Sequence, residues 1–263
     1  LTINLQFREL ESGISATRGN LQKTPLQYWE DIEQTIEELR IYNRAHFFKS
    51  WFFSIQSTID FQAQAKTAQL YANEALEMMQ SENCNYYSKA FFAWSLFHYY
   101  KHTERPQEAF DILKNNIVWQ EKLVQKIEGF SHMLSATYTN FLVACEGTGN
   151  WNEYAATIEK IDKLRCRNIS EEADRFKRVF EARIILARNK KQYSQIVPFH
   201  KNLQQELSKY ETKLGLPEVM MLKLFMALLA TCGKEYEIAL LYSKQSSEMF
   251  GRAKTHMFFL TYA

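Results

Sequence analysis

Glycine and proline are scarce in this chain, with eight and four among 263 residues. That scarcity excludes the many tight turns of an all-β fold and suits long helices. Cysteine is sparse too. Cys84, Cys145, Cys166 and Cys232 form no C-x-x-C pair, so the sequence offers neither a zinc cluster nor a dithiol motif. They read as small apolar residues of a reducing, cytoplasmic compartment. No apolar run reaches the roughly 18 residues of a membrane span, and the longest candidate, from Val219 to Cys232, is interrupted by Lys223. The opening LTINLQFREL is neither basic nor continuously apolar and does not read as a signal peptide. Net charge is only +2, with 32 Lys and Arg against 30 Asp and Glu, so no global field points to nucleic acid or a membrane surface.

Motifs of catalysis are missing as well. Neither a phosphate-binding glycine loop nor a G-x-S-x-G or H-E-x-x-H stretch occurs. Glu37-Glu38 and Glu171-Glu172 read as solvated charge on helix surfaces or first turns. His98 and His102 stand one helical turn apart, but only Glu104 lies close enough in sequence to join them, and zinc needs more ligands. His98 also shares its helical face with Tyr87, Phe91 and Trp94, so it reads as a packing histidine. No metal, cofactor or enzymatic activity is expected. Asn168-Ile169-Ser170 fits a glycosylation sequon, a pattern common by chance.

What the chain does contain is helical periodicity with a recurring break. The segment TYTNFLVACEGTGNWNEYAATIEKIDKL, from Thr137 to Leu164, reads as a helix, a short Gly-containing break and a second helix. Related second halves occur as ERPQEAFDIL, NKKQYSQIVPF and GKEYEIALLY. Matching Pro106, Trp151, Tyr193 and Tyr236 as the residues that open each second helix gives spacings of 45, 42 and 43 residues. A near-constant period in this range predicts an array of helical hairpins. Trp151, placed directly after a break, is expected to be largely buried between the helices.

Taken in order, Ile3 to Thr17 is expected as a helix. Thr24-Pro25 supplies an N-cap and a first-turn proline for a second helix to about Tyr42. HFFKSWFFSIQSTI and AKTAQLYANEALEMM form the next pair, joined near Asp60 to Gln64. NYYSKAFFAWSLFHYYK and PQEAFDILKNNIVWQEKLVQ follow, then Phe130 to Leu164. Ser170 is expected to cap the fifth pair, with Glu171 and Glu172 at the positive end of the helix dipole. Pro198 is tolerable there if Ser194 is an N-cap, because the first-turn amides have no partner inside the helix. Glu218 to Cys232 and Lys234 to Phe250 make the sixth pair, and Lys254 to Tyr262 reads as the opening of another helix. The aromatic run of YYSKAFFAWSLFHYY reads as a middle-layer helix, apolar on more than one face.

These segments resemble tetratricopeptide repeats. An aromatic opens the second helix at Trp151, Tyr193 and Tyr236, a small residue follows at Ala109, Ala155 and Ala239, and Gly149 and Gly233 occupy the breaks. The period is longer than the roughly 34 residues of that family. The family's first-helix glycine and its repeat-ending proline are missing. The resemblance covers about Phe47 to Phe250 and implies an all-α, right-handed α-solenoid of stacked antiparallel hairpins. A single array would span 1–263, with an atypical pair at 1–43, hairpins at 44–250 and the start of a further helix at 251–263.

In such arrays the first helix of each pair lines the concave surface. Stepping 100° per residue from the apolar stripes, the opposite side carries Lys49 and Phe53, then Phe92, Leu96 and Tyr99, then His132, then Arg178 with Glu181, and finally Lys223. An aromatic start and a basic end suit an extended peptide or amphipathic helix with an acidic end. Between Lys160 and Lys191 there are 11 Lys and Arg against 5 Asp and Glu. Within that stretch Arg183 falls on an apolar stripe with Phe176, Val179, Phe180 and Ala187, where it needs a carboxylate or carbonyl partner. A structural ion pair is the first reading of Arg183 and a ligand anchor the second. The function expected is a non-enzymatic scaffold that binds a protein or peptide in a concave groove, the basic end of the row suiting an acidic one. The alternative is a sensory or regulatory domain of a larger signalling or transcription-related protein that responds to a peptide or small ligand. A helical enzyme ranks third.

Overall fold

A computed structural model describes the backbone of residues 25–124, 130–210 and 212–253, and side chains at 30–124, 131–210 and 212–250. Its described residues form helices, with no strand among them. The helices expected over Ile3 to Thr17 and Lys254 to Tyr262 lie outside the described residues. The chain divides into two compact units, 1–116 and 117–263.

In the first unit, α1 (Pro25–Ser54) opens on its proline as expected but runs on for 30 residues. The break placed between Tyr42 and His46, and with it the boundary at 43/44, does not occur. The segment contains no glycine or proline, and Ile41, Ala45, Phe48 and Phe52 carry one buried stripe straight through it. The join near Asp60 is itself helical: α2 (Thr58–Ala63) is capped by Ser57, whose hydroxyl accepts from the Asp60 amide. Next come α3 (Ala65–Met79) and α4 (Tyr86–His102), the latter capped by Asn85 accepting from the Ser88 amide. The helices α1, α3 and α4 pack on one another. α4 buries residues around most of its circumference, including Ala90, Phe91, Phe92, Ala93, Leu96 and Phe97, as a middle-layer helix should. Phe48 stacks on Tyr71 at 4.9 Å and meets Phe92 at 6.1 Å. At the edge of this core the Arg44 guanidinium forms a two-pronged bond to Glu74, at 2.6 and 2.7 Å, over the Phe48 ring. The helix α5 (Pro106–Leu123) carries the boundary between the units.

Among its described residues the second unit contains three hairpins: α6 (Phe130–Thr148) with α7 (Trp151–Asp162), α8 (Ile169–Asn189) with α9 (Ile196–Tyr210), and α10 (Leu216–Cys232) with α11 (Tyr236–Ala253). α7 packs on α6 and α8, α10 packs on α8, α9 and α11, and α9 also touches α8. Phe180, Ile184, Ile196, Leu203, Leu222, Met226, Leu229 and Tyr242 form a continuous buried core among α8 to α11.

One turn is used four times among the described residues. Glu104, Gly149, Lys191 and Lys234 adopt positive φ, at 56°, 71°, 53° and 64°. In each case the amide of the following residue donates to the carbonyl five positions back: Arg105 to Tyr100 at 2.9 Å, Asn150 to Cys145 at 2.9 Å, Gln192 to Ala187 at 2.8 Å and Glu235 to Ala230 at 2.9 Å. This six-to-one bond closes the first helix. Two residues after each left-handed position the next helical element begins, at Pro106, Trp151, Tyr193 and Tyr236. The openers are therefore where the period placed them. Their burial is different: Tyr236 is 65% exposed, and Trp151 and Tyr193 are only half-buried. The inward position lies three residues later, at Ala109, Tyr154, Ile196 and Ala239, exposed by 2%, 1%, 1% and 7%. Tyr154, with Trp151 packed on its ring at 5.3 Å, fills the place expected for Trp151. The two glycines of the breaks also differ. Gly149 serves the left-handed backbone, whereas Gly233 has ordinary φ and lies so close to Ile196 and Tyr193 that a β-carbon would collide with them.

Tyr154→Ala should cost about 3–5 kcal/mol and Trp151→Ala about 1–2 kcal/mol in chemical denaturation, because only the first ring is fully buried. Gly149→Ala should lower stability by about 1 kcal/mol, whereas Lys234→Gly, which relieves a side chain at positive φ, should be neutral to stabilising by up to about 1 kcal/mol. A loss at Lys234→Gly as large as that at Gly149→Ala would contradict this account of the turn.

Candidate functional site

Within the second unit a trough lies between α8 and α9. Its α8 wall starts from a side-chain cap. Asn168, in an extended conformation, accepts from the amides of Ser170 and Glu171, both at 3.0 Å, and so is the N-cap in place of Ser170. Glu171 and Glu172 occupy the first turn, as the dipole favours. Glu171 folds back to accept from the Arg167 amide and guanidinium at 2.6–2.8 Å. The opposing helix starts with a 3₁₀ turn, Tyr193–Gln195, rather than with a Ser194 side-chain cap. Pro198 is then the third residue of α9, still within the first turn, where its missing N–H costs no helical bond.

Rungs across the hairpin fix the register. Lys209 reaches Glu172 at 3.4 Å, Phe176 lies against Tyr210 at 5.6 Å, and Phe180 meets Phe199 edge-on at 5.9 Å. Between them the trough encloses about 390 Å³. Phe176, Val179 and Phe180 form its floor, and Pro198, Phe199, Asn202 and Glu206 line the α9 side. On the other side stand Arg175, Arg183 and Asp162, the last residue of α7. Arg183 pairs with Asp162 at 2.9 Å and with Glu159 at 3.5 Å, which meets the need for a carboxylate read from the sequence, and its side chain keeps 40% exposure. Arg175 donates to the Leu164 carbonyl at 2.7 Å.

The remaining residues singled out in the sequence occupy several places. In the first unit Phe92 and Leu96 are fully buried, so neither lines a groove: with α1 on one side of α4 and α3 on another, the face opposite the main stripe is also core. Tyr99 is half-buried against Phe52 and Phe61. Phe53 is 68% exposed. The Lys49 ammonium lies 4.4 Å from the centre of the Phe91 ring and 5.7 Å from Trp94, and burial pushes its pKa down. In the second unit His132 is exposed beside a small cleft of about 40 Å³ at the start of α8, shared with Cys166, Glu171, Asp174 and Arg175. Arg178 donates to Asp174 at 2.8 Å and to the Thr139 hydroxyl on α6. Lys223 is half-buried on α10. The structure therefore brings His132 near Arg178 through Asp174.

The histidine pair diverges. His98 is held neutral by burial, its pKa lowered to about 4, while His102 stacks on Phe61 at 4.8 Å. No group of three or more His, Cys, Asp and Glu placed to hold a metal ion occurs among the described residues. No helix among them is long and apolar enough to cross a membrane.

Sequence reasoning reached Arg183 but not Arg175, Phe199, Glu206 or Tyr210 as site residues. The available signal was partial: the cation-rich stretch from Lys160 to Lys191 contains Arg175, and the unusual Pro198 marks the start of α9. Set against models of known protein families, curated proteins and solved structures, the chain matches none.

Among the described residues Glu181, on α8, is the one carboxylate whose titration is moved to near neutrality. Burial raises its pKa from an ordinary 4.5 to about 7; Lys177 and Arg178 oppose the rise, and Asp174 and Glu218 add to it. Between those pH values the folded chain binds the proton more tightly than the unfolded chain, so stability falls as pH rises from about 4.5 to about 7. Glu181→Gln should remove that slope and raise stability at pH 8 by on the order of 2 kcal/mol. Denaturation midpoints measured across this window check it; an unchanged slope in the variant would assign the titration elsewhere.

Proposed function

We propose that this chain is a non-enzymatic binding scaffold whose second unit holds a peptide segment in the trough between α8 and α9. The observation that carries the reading is an open, elongated concavity of about 390 Å³ with an aromatic floor and charged walls. Aromatic side chains supply contact area at low entropic cost, and flanking charges set orientation and register. The buried state of Phe92 and Leu96 moves the proposed contact away from the row expected on the first helices and onto Arg183 and its neighbours. The three equivalent turns of the second unit, at Gly149, Lys191 and Lys234, support reading its hairpins as a tetratricopeptide-like solenoid, and scaffolds of this kind act through what they bind. Four free cysteines support a cytoplasmic setting.

The second reading is a sensory domain for a small ligand, favoured by a volume within the range of small-molecule sites. The trough's length along two helices favours the peptide.

The test is binding of the purified chain to an array of synthetic 12-residue peptides, beside an Asn202→Trp variant. Asn202 is exposed and lines the trough, so an indole there fills the space without entering the core. Wild type should retain a subset of peptides. The variant should bind them at least about tenfold more weakly with an unchanged unfolding midpoint. Absence of peptide binding, or equal binding by the variant, would overturn the proposal.

A further inference from the structure

The charges of the trough do not all cancel. Arg183 is paired with Asp162 and Glu159, and Lys209 with Glu172. Among the described residues Arg175 makes no ion pair: its guanidinium donates from one terminal nitrogen to the Leu164 carbonyl, which leaves four of its five N–H groups for other acceptors. Glu206 on the opposite wall likewise makes no ion pair among the described residues. Both are half-buried.

Their relative placement follows from the rungs of the hairpin. The Lys209–Glu172 contact is one turn from Arg175 on α8 and one turn from Glu206 on α9, and the Phe180–Phe199 contact lies on the far side of both. Arg175 and Glu206 thus stand at one level on opposite walls, with Phe176 on the floor between them. A segment lying in the trough meets a guanidinium on one side, a carboxylate on the other and an aromatic ring beneath. Guanidinium binds carboxylate through paired, charge-assisted hydrogen bonds. A half-buried carboxylate gains most from an ammonium or guanidinium that replaces its lost hydration.

Resting on the peptide-binding reading above, we infer that the occupant is a peptide segment of mixed charge: an acidic side chain seated on Arg175, a basic side chain on Glu206, and an aromatic or leucine side chain over Phe176. A purely acidic segment, the class expected from the basic stretch of the sequence, is disfavoured by Glu206. A purely basic one is disfavoured by Arg175.

An array of 12-residue peptides that places one Asp, one Lys and one Phe at every spacing and in both orders tests this. Wild type should prefer peptides carrying both charges, and replacing either the Asp or the Lys of the best binder by Ala should weaken binding about tenfold or more. Glu206→Lys should reverse one preference, binding peptides in which Glu replaces the Lys better than the original. Arg175→Gln should lose the preference for Asp and retain that for Lys; Arg175→Lys should restore part of it and controls for any effect of the Leu164 contact on folding. Binding of peptides without dependence on either charge, or unchanged selectivity in Glu206→Lys, would overturn the mixed-charge assignment and leave peptide binding standing. Failure of every peptide to bind would remove both.

Discussion

The six-to-one hydrogen bond that closes the first helix of a pair is the constraint on which each hairpin depends. It fixes the left-handed residue, and that residue fixes where the second element starts, two positions on. From there the helical repeat decides what turns inward. A residue three positions after the opener is rotated by about 300°, which places it some 60° from the opener around the axis. That step separates the half-exposed Trp151 from the buried Tyr154, and the exposed Tyr236 from the buried Ala239. Side-chain size at the inward position is free to vary because the turn, rather than the wedge, sets the geometry: alanine, tyrosine and isoleucine all occupy it.

Seen from that turn, the trough is a consequence of helix length. α7 has 12 residues and α8 has 21, roughly 18 and 31 Å. Arg183, in the second half of α8, already pairs with the last residue of α7. The first half of α8 therefore extends past the end of α7; the segment that follows α7 reaches Arg175 through the Leu164 carbonyl, and the face bearing Phe176 and Val179 is left to α9, which covers it only in part. Phe176 against Tyr210 and Phe180 against Phe199 brace the two helices without closing the space beside them.

This division explains what was legible in the sequence. Helices such as Ala65–Met79 and the openings at Pro106 and Tyr236 are local matters of periodicity, proline and the break, and they stand where the pattern put them. The false break near Tyr42 came from requiring a hairpin where the chain has neither glycine nor proline; the stripe through Ile41, Ala45, Phe48 and Phe52 was the better guide. Phe92 and Leu96 were misplaced for a tertiary reason, since one helix's sequence shows which faces are apolar but not how many neighbours will cover them. The trough was invisible for the same reason. It depends on where α7 ends alongside α8, and that offset is set by packing.

Charge shows the limit most sharply. Counted along the chain, Lys160 to Lys191 carries an excess of six positive charges. In the folded unit the carboxylates that answer them come partly from outside the window: Glu121 binds Lys160 at 2.8 Å, while Asp162, Glu171 and Asp174 answer Arg183, Arg167 and Arg178 from within it. Exposed pairs of this kind contribute little stability, about 0–1 kcal/mol each, but they remove charge from the account a ligand meets. Glu181 makes the converse point, for it lies among cations in the sequence and yet resists ionisation, because the desolvation of its carboxylate outweighs the attraction of Lys177 and Arg178. A net charge read from a window therefore says little about recognition. The informative quantity is the charge left over after folding has paired and desolvated the rest, and in the trough that remainder is one cation and one anion facing each other across an aromatic floor.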